Sequence, residues 1–292
     1  MTQTLLSAWT AARSRLEAAG VDSPAIDARL LLEAAADVAR AEIIADPYRR
    51  LSEAQRARLA DYVDRRARRE PVSHILGRRG FWKIMLKVTP DVLTPRPDTE
   101  TILDVVLARF TPHARFSVLD LGVGSGAILL AILAERRAAR GLGVDVSEEA
   151  LAVARENAAN LGLASRAALL RSDWTAGLGD DGFDLVVSNP PYVRSGDIAG
   201  LDPEVSEHEP RLALDGGPDG LAAYRRLAPE ILRVLRPGGV FAVEIGFDQR
   251  AAVEQLFRDA GAQALRCVRD LADRDRVVTG TKKPLGIGAA SR

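Results

Sequence analysis

From residue 116 onward, short apolar runs alternate with longer segments of helical period, and no other feature restricts the fold as tightly. FSVLDLG, GLGVDV, AALLRSD, FDLVVSNP and VFAVEIG read as strands, and AILLAILAERRAAR, EEALAVARENAANLG and LAAYRRLAPEILRVLRPGG read as helices between them. Alternation of this kind predicts an α/β fold: a mostly parallel, Rossmann-like sheet with helices on both faces. After AAVEQLFRDAG, the runs ALRCVRD and RVVTGTK are separated only by Leu271-Ala272-Asp273-Arg274. That link is too short for a crossover, so a terminal antiparallel hairpin is expected.

Residues 1–72 read instead as helices. Leu5, Trp9, Ala12 and Leu16 fall at helical spacing ahead of Gly20, Ser23-Pro24 offers a helix start, and Ser52-Glu53-Ala54-Gln55 has a capping-box pattern. Asp61 with Arg65, and Asp64 with Arg68, are placed for pairs four residues apart. The run Arg65-Arg66-Ala67-Arg68-Arg69 reads as a solvated helix face or a contact surface. Trp82, Ile84, Leu86 and Val88 then alternate with Lys83, Met85 and Lys87, which marks a strand, with a turn before it at Gly77-Arg78-Arg79-Gly80. Residues 73–90 are therefore expected to form a β-hairpin linker between a helical domain (1–72) and the α/β domain (91–283), with 284–292 a flexible tail.

Forty basic residues balance forty acidic ones, which argues against a chain built to coat nucleic acid or an anionic membrane. Cys267 is the single cysteine, so no internal disulfide can form, and it reads as an inert residue in a strand. The start lacks the apolar core of a signal peptide, and no run of about 18 apolar residues is present. A cytoplasmic monomer is expected. His74, His113 and His208 are scattered and give no metal-ligand spacing.

Ligands of open α/β sheets gather beyond the carboxyl ends of the strands. Four such ends carry polar or glycine residues here: Gly122-Val123-Gly124-Ser125-Gly126, Asp145, Asp173-Trp174, and Asn189-Pro190-Pro191-Tyr192. The glycines permit close backbone approach, the following helix offers N–H groups, and Asp145, 19 residues past Gly126, suits the hydroxyls of a ribose. Asp173 and Trp174 suit the amino group and flat face of an adenine, although a strand-end Asp also caps helices and a Trp also fills cores. Together these describe a pocket for S-adenosylmethionine. A dinucleotide site would use G-x-G-x-x-G, whereas this loop reads G-x-G-x-G.

The Asn-Pro-Pro-Tyr tetrapeptide suggests what stands opposite. Two prolines stiffen the loop, so Asn189 Oδ1 and the Pro190 carbonyl make two fixed acceptors, matched to the two hydrogens of a planar –NH₂ group. Tyr192 is expected to pack on the flat face of that group. The nucleophile is thus a conjugated nitrogen, either a carboxamide or the exocyclic amine of a base, with positioning and fixed dipoles supplying catalysis.

With D-L-G-x-G-S-G on the first strand, N-P-P-Y resembles the class I methyltransferases that modify amide or exocyclic amino nitrogens. EPVSHILGRRGFWKIMLKVTPDVLTPRPDTE (70–100), EPRLALDGGPDGLAAYRRL (209–227) and RDLADRDRVVTGTK (269–282) are similar to the HemK/PrmC-type release factor glutamine methyltransferases. The resemblance implies methyl transfer from S-adenosylmethionine to the N5 amide of the Gly-Gly-Gln glutamine in class I peptide chain release factors, a step bearing on translation termination. It implies that Gly122 to Gly126, Asp145, Asp173, Trp174 and Asn189 hold the cofactor, that Asn189 to Tyr192 hold the glutamine, that Arg96 shapes the rim, and that the helical domain docks the release factor. Val123 departs from the commoner threonine of that loop. Roles for Glu207, Glu209 and Glu244 stay open. The alternative reading is an N6-adenine DNA methyltransferase, whose flipped base offers the same kind of nitrogen; zero net charge and the lack of a large extra domain count against it.

Overall fold

The computed structural model describes residues 3–284, so the tail expected at 284–292 lies, Pro284 apart, outside the described residues. Two compact units result, one of residues up to 78 together with 202–208, the other of 79–201 with the remainder from 209.

In the first unit, α1 (Leu5–Ala18), α2 (Pro24–Ala36), α3 (Arg40–Ala45), α4 (Glu53–Ala67) and α5 (Val72–Leu76) are joined by short turns. Both halves of the Ser52 capping box form: Gln55 N–H donates to Ser52 Oγ, and Ser52 N–H donates to Gln55 Oε1. Pro24 does open α2, but the Ser23 side chain makes no capping hydrogen bond. Leu5, Ala12 and Leu16 are buried with Leu31, Leu32, Leu59 and Val63, while Trp9 is only partly buried and donates from Nε1 to Ala25 O. The basic run departs from its expected role. Arg66 is buried and bonds Asp27 and Glu204, both at 2.7 Å, and Arg69 reaches Glu204 at 2.7 Å. The pairs expected within α4 give way to longer-range ones, Asp64 with Arg15 at 2.6 Å and Arg65 with Glu70 at 2.5 Å. Spacing along one helix cannot register carboxylates brought in by other segments. The short α9 (Pro203–Ser206) supplies Glu204 and belongs to this unit.

β1 (Arg78–Phe81) and β2 (Ile84–Lys87) form the hairpin, but its turn falls at Trp82-Lys83 rather than at 77–80. Gly77 instead ends α5 in the left-handed conformation, and Trp82 adopts φ 52 in the turn, where its backbone N–H donates to Glu100 and its indole to Glu135.

The second unit is built on a seven-stranded sheet in the order β5-β4-β3-β6-β7-β9-β8. These are β3 (Ser117–Leu121), β4 (Arg140–Asp145), β5 (Ala167–Arg171), β6 (Phe183–Ser188), β7 (Leu235–Glu244), β8 (Gln263–Arg269) and β9 (Asp275–Thr281). The first five pair in parallel, and β9 pairs antiparallel with β7 and β8. Alternate residues of β3 serve opposite faces. Val118 joins the core made by α6 (Glu100–Arg109), α7 (Ala127–Glu135) and α8 (Glu148–Asn160), whereas Leu119 and Leu121 join that made by α10 (Ala222–Val234) and α11 (Arg250–Asp259). Two helices stop earlier than their patterns suggest. At the end of α7, Arg136 turns its guanidinium to the Leu107 and Phe110 carbonyls, and after α10 the residues Arg236-Pro237-Gly238-Gly239 form a bulge inside β7. No helix among the described residues is long and apolar enough to cross a membrane.

Chain order runs outward from β3 through β4 to β5, then returns to β6 on the other side of β3. The strand order therefore reverses between β3 and β6, and the loops leaving these two strands part to leave a crevice.

Candidate active site

A cavity of about 450 Å³ opens there, of the size that holds a small organic ligand. Gly122 to Ser125, Asp145, Asp173, Trp174, Asn189, Pro191 and Arg96 all line it; Gly126, Pro190 and Tyr192 do not. Gly126 sits behind the loop, where a Cβ would come within 2.8 Å of Leu130.

The glycine loop is shaped by its own hydrogen bonds. Gly122 and Val123 N–H both donate to Val144 O at 2.9 Å, and Gly124 N–H donates to Asp145 Oδ2 at 2.9 Å. These three amides are engaged and are not free to bind a ligand. The loop instead offers its Cα surface, and a Cβ at Gly124 would meet nothing within 4 Å. Asp145 also accepts Ser147 N–H at 3.0 Å, which fixes the carboxylate while each oxygen keeps a lone pair. The Val123 side chain is buried against Gly143, so the exchange of a threonine for a valine is a packing matter.

Trp174 has φ 52, an uncommon conformation for a bulky residue and one that costs on the order of 1–3 kcal/mol. Its ring lies about 3.5 Å from where a Gly122 Cβ would be, forming the wall beside the loop. Asp173 is exposed and paired with Arg226 at 3.1 Å. A planar base entering beside Trp174 would thus meet a carboxylate already held by a cation.

On the facing wall, Asn189 Nδ2 donates to Thr99 Oγ1 at 3.2 Å, which leaves Oδ1 as the open end of the amide. Tyr192 is not a lid on the cavity, as its position in the motif suggests. Its hydroxyl donates to Glu244 Oε1 at 3.1 Å, and its carbonyl accepts from Gln249 Nε2 at 3.0 Å. The ring is an anchor for the elbow. Two glycines of the 209–227 stretch complete the clamp: a Cβ at Gly216 would stand 2.9 Å from Pro191 O, and one at Gly220 would stand 2.5 Å from Tyr192 O. Only glycine lets these strands of backbone touch.

Three buried acids surround this elbow and loop. Burial pushes Glu244 up to about 7, against the downward pull of the Thr99 hydroxyl, the Arg276 charge and the Tyr192 hydroxyl; its Oε2 has no hydrogen-bond partner. Burial, with the Asp145 charge adding to it, pushes Asp120 up to about 8, and Oδ2 accepts Leu129 N–H at 3.1 Å. Glu209 is raised by burial and holds Arg96 at 2.5 Å and Thr94 N–H at 3.3 Å, so Arg96 reaches the rim on a fixed stem. Glu207, by contrast, is exposed and lies in the first unit. Cys267 is partly buried, and burial pushes its thiol up to about 11, which leaves it unreactive.

Asn157, Gln249 and Arg276 escape the sequence reading, and Asp120 enters it only as the first residue of D-L-G-x-G-S-G. Asn157 is buried in α8 and ties the glycine loop to the hairpin, donating from Nδ2 to Ser125 O and Lys87 O and accepting Lys87 N–H. Arg276 bonds Asp270, Ile245 O and Asp98, so the 269–282 stretch braces the segment that carries Thr99. A signal for Arg276 existed in that motif; Asn157 and Gln249 had none, because nothing local distinguishes a buried amide in a helix from a solvated one.

Known proteins resemble this chain throughout its length. Residues 7–77 match the PrmC N-terminal domain, and residues 112–273 match a methyltransferase domain. A release factor glutamine methyltransferase of Caulobacter vibrioides is 70% identical over 98% of this chain and 99% of its own. One from Agrobacterium fabrum is 44% identical over 92% and 94%. Among solved structures, a 16S rRNA methyltransferase of T. thermophilus superposes with a TM-score of 0.51 at 22% identity, over 70% of this chain and 50% of that one, a likeness of fold.

Proposed function

The chain belongs to the release factor glutamine methyltransferase family, and we infer from that membership that it transfers a methyl group from S-adenosylmethionine to the glutamine of the Gly-Gly-Gln loop in class I peptide chain release factors. The observation that carries the reading to individual residues is the fixed amide of Asn189, turned by Thr99 so that an acceptor faces the same cavity as Asp145 and the glycine loop.

S-adenosylmethionine supplies an electrophilic methyl carbon on a sulfonium. Asp145 would accept from the ribose hydroxyls of the cofactor, the ring of Trp174 would cover its adenine, and the Cα surface of Gly122 to Ser125 would leave room for its amino-acid end. For the glutamine, Asn189 Oδ1 would accept an amide hydrogen, while Pro190, which does not line the cavity, stiffens the elbow that carries Asn189. Fixed in this way, the amide would present its nitrogen to the cavity that would hold the cofactor. Because an amide nitrogen is a poor nucleophile, most of the acceleration comes from alignment, worth up to about 7–11 kcal/mol in well-oriented systems. As the C–N bond formed, the sulfonium C–S bond would break to leave a neutral thioether, and the alkylated nitrogen, far more acidic than the parent amide, would release its proton to solvent without a strong base. Tyr192 acts through its anchors, holding the elbow against Glu244 and Gln249 rather than touching the amide.

Arg96, held by Glu209, is the cation at the rim over which the Gly-Gly-Gln loop enters. The helical unit (1–72) docks the body of the release factor, and the enzyme works as a cytoplasmic monomer with no nucleic acid as substrate. Labelled S-adenosylmethionine tests this reading. Label on the Gly-Gly-Gln glutamine of a release factor is the expected result; label on duplex DNA with release factors unmodified would transfer the assignment to the exocyclic amine of adenine.

A further inference from the structure

At the opposite, amino-terminal edge of the sheet lies a second concavity, of about 590 Å³. Because β3 to β7 run in parallel, the segments that lead into them converge there. They bring Arg115 ahead of β3, Arg137 and Arg140 at the entry to β4, Arg166 ahead of β5 and Arg236 at the start of β7, with Asp184 the one acid in the lining. The register Ser117 beside Arg140, and Gly141 beside Ala167, makes these neighbours across three strands.

The five arginines are not equivalent. Arg236 is paired with Asp184 at 3.0 Å. Arg166 is locked by the carbonyls of Leu133, Arg136 and Ala139 at 2.8, 3.1 and 3.1 Å. Arg115, Arg137 and Arg140 are exposed, and their guanidinium groups make neither a hydrogen bond nor an ion pair among the described residues. Forty acidic residues are available to a chain of zero net charge, yet none but Asp184 lines this pocket. Like charges gathered this way repel, and an anion that joined them would relieve the repulsion.

We propose that this pocket is a binding site for a compact polyphosphate, of the kind carried by a nucleoside di- or triphosphate. Guanidinium forks match phosphate oxygens two at a time, and three unpaired forks around a hollow suit two or three adjoining phosphates. A nucleic-acid strand would be served by a stripe of cations along a face, whereas here the unpaired cations are grouped about one shallow hollow. The site is separate from the crevice and does not rest on the methyl-transfer reading.

Calorimetric titration of the full chain with inorganic tripolyphosphate tests the proposal. Saturable binding of one equivalent is expected, weakened at least about tenfold in Arg137→Glu/Arg140→Glu, with S-adenosylmethionine affinity unchanged as the measure of folding. Arg137→Gln/Arg140→Gln, which only removes charge, is expected to show most of the same loss. A control variant, Arg13→Glu/Arg58→Glu, takes two cations from elsewhere and is expected to bind as the parent does. Absence of saturable binding, equal loss in the control, or an RNA dodecamer that binds and is not displaced by tripolyphosphate would each overturn it.

Discussion

Replacing Glu244 by Gln isolates the energetic role of the carboxylate behind the Asn-Pro-Pro-Tyr elbow. The glutamine keeps an oxygen to accept from the Tyr192 hydroxyl but can never ionise. In the folded protein burial raises Glu244 from its ordinary 4.5 to about 7. The folded state therefore holds a proton that the unfolded chain has released, and stability falls as pH rises through that window. Each tenfold difference in acidity is worth about 1.4 kcal/mol, so ionising Glu244 in place costs about 3 kcal/mol in full above pH 7 and almost nothing below pH 4.5. Urea unfolding of parent and Glu244→Gln is the assay, at intervals from pH 5 to pH 8.5. The two curves should nearly coincide at pH 5 and separate with increasing pH, the variant becoming more stable by about 3 kcal/mol at pH 8. Methyl transfer should persist in the variant, since the anchor of Tyr192 is retained. Glu244→Leu should be destabilised instead, by about 1–3 kcal/mol for the phenol left without a partner. Parallel stability curves for parent and Glu244→Gln across the whole range would refute the reasoning, because a group with no difference in acidity between the two states contributes no pH dependence.

Other substitutions probe the remaining parts. Asn189→Ala should reduce kcat by two orders of magnitude or more, about 3 kcal/mol in the barrier, while calorimetry shows cofactor affinity within a few-fold of the parent. Gly220→Ala places a methyl 2.5 Å from Tyr192 O and 2.6 Å from Gln249 Nε2 at φ 75, so transfer should fall sharply under saturating substrates in steady-state assays. Arg66→Leu leaves Asp27 and Glu204 without their shared cation and should destabilise the helical unit by about 3–5 kcal/mol, read by chemical denaturation.

Alternation of runs from residue 116 was enough to read the parallel sheet and its antiparallel end, because burial on one or two faces imprints a period on the sequence. Strand ends were legible for the same reason, and the loops of β3 and β6 do meet in one cavity. What escaped depended on partners remote in sequence. Arg66 resembled a solvated residue until Glu204 arrived from 138 positions away. Trp82 belonged to an alternating pattern, yet a two-residue turn occupies it, since the hydrogen bonds it donates to the Glu100 and Glu135 carboxylates favour that conformation. Tyr192 followed an asparagine in a motif that suggested a shared surface, but a buried carboxylate and a buried amide draw it inward.

The seven residues 202–208 are compact with the helical unit, although the chain on either side of them is not. That unit consequently has no single pair of ends at which it can be cut free. A fragment stopping at residue 78 would retain Arg66 and Arg69 but discard the carboxylate that bridges them. Swapping the helical part between relatives would then require a matched graft of the distant heptapeptide, so the two pieces inherit change as one.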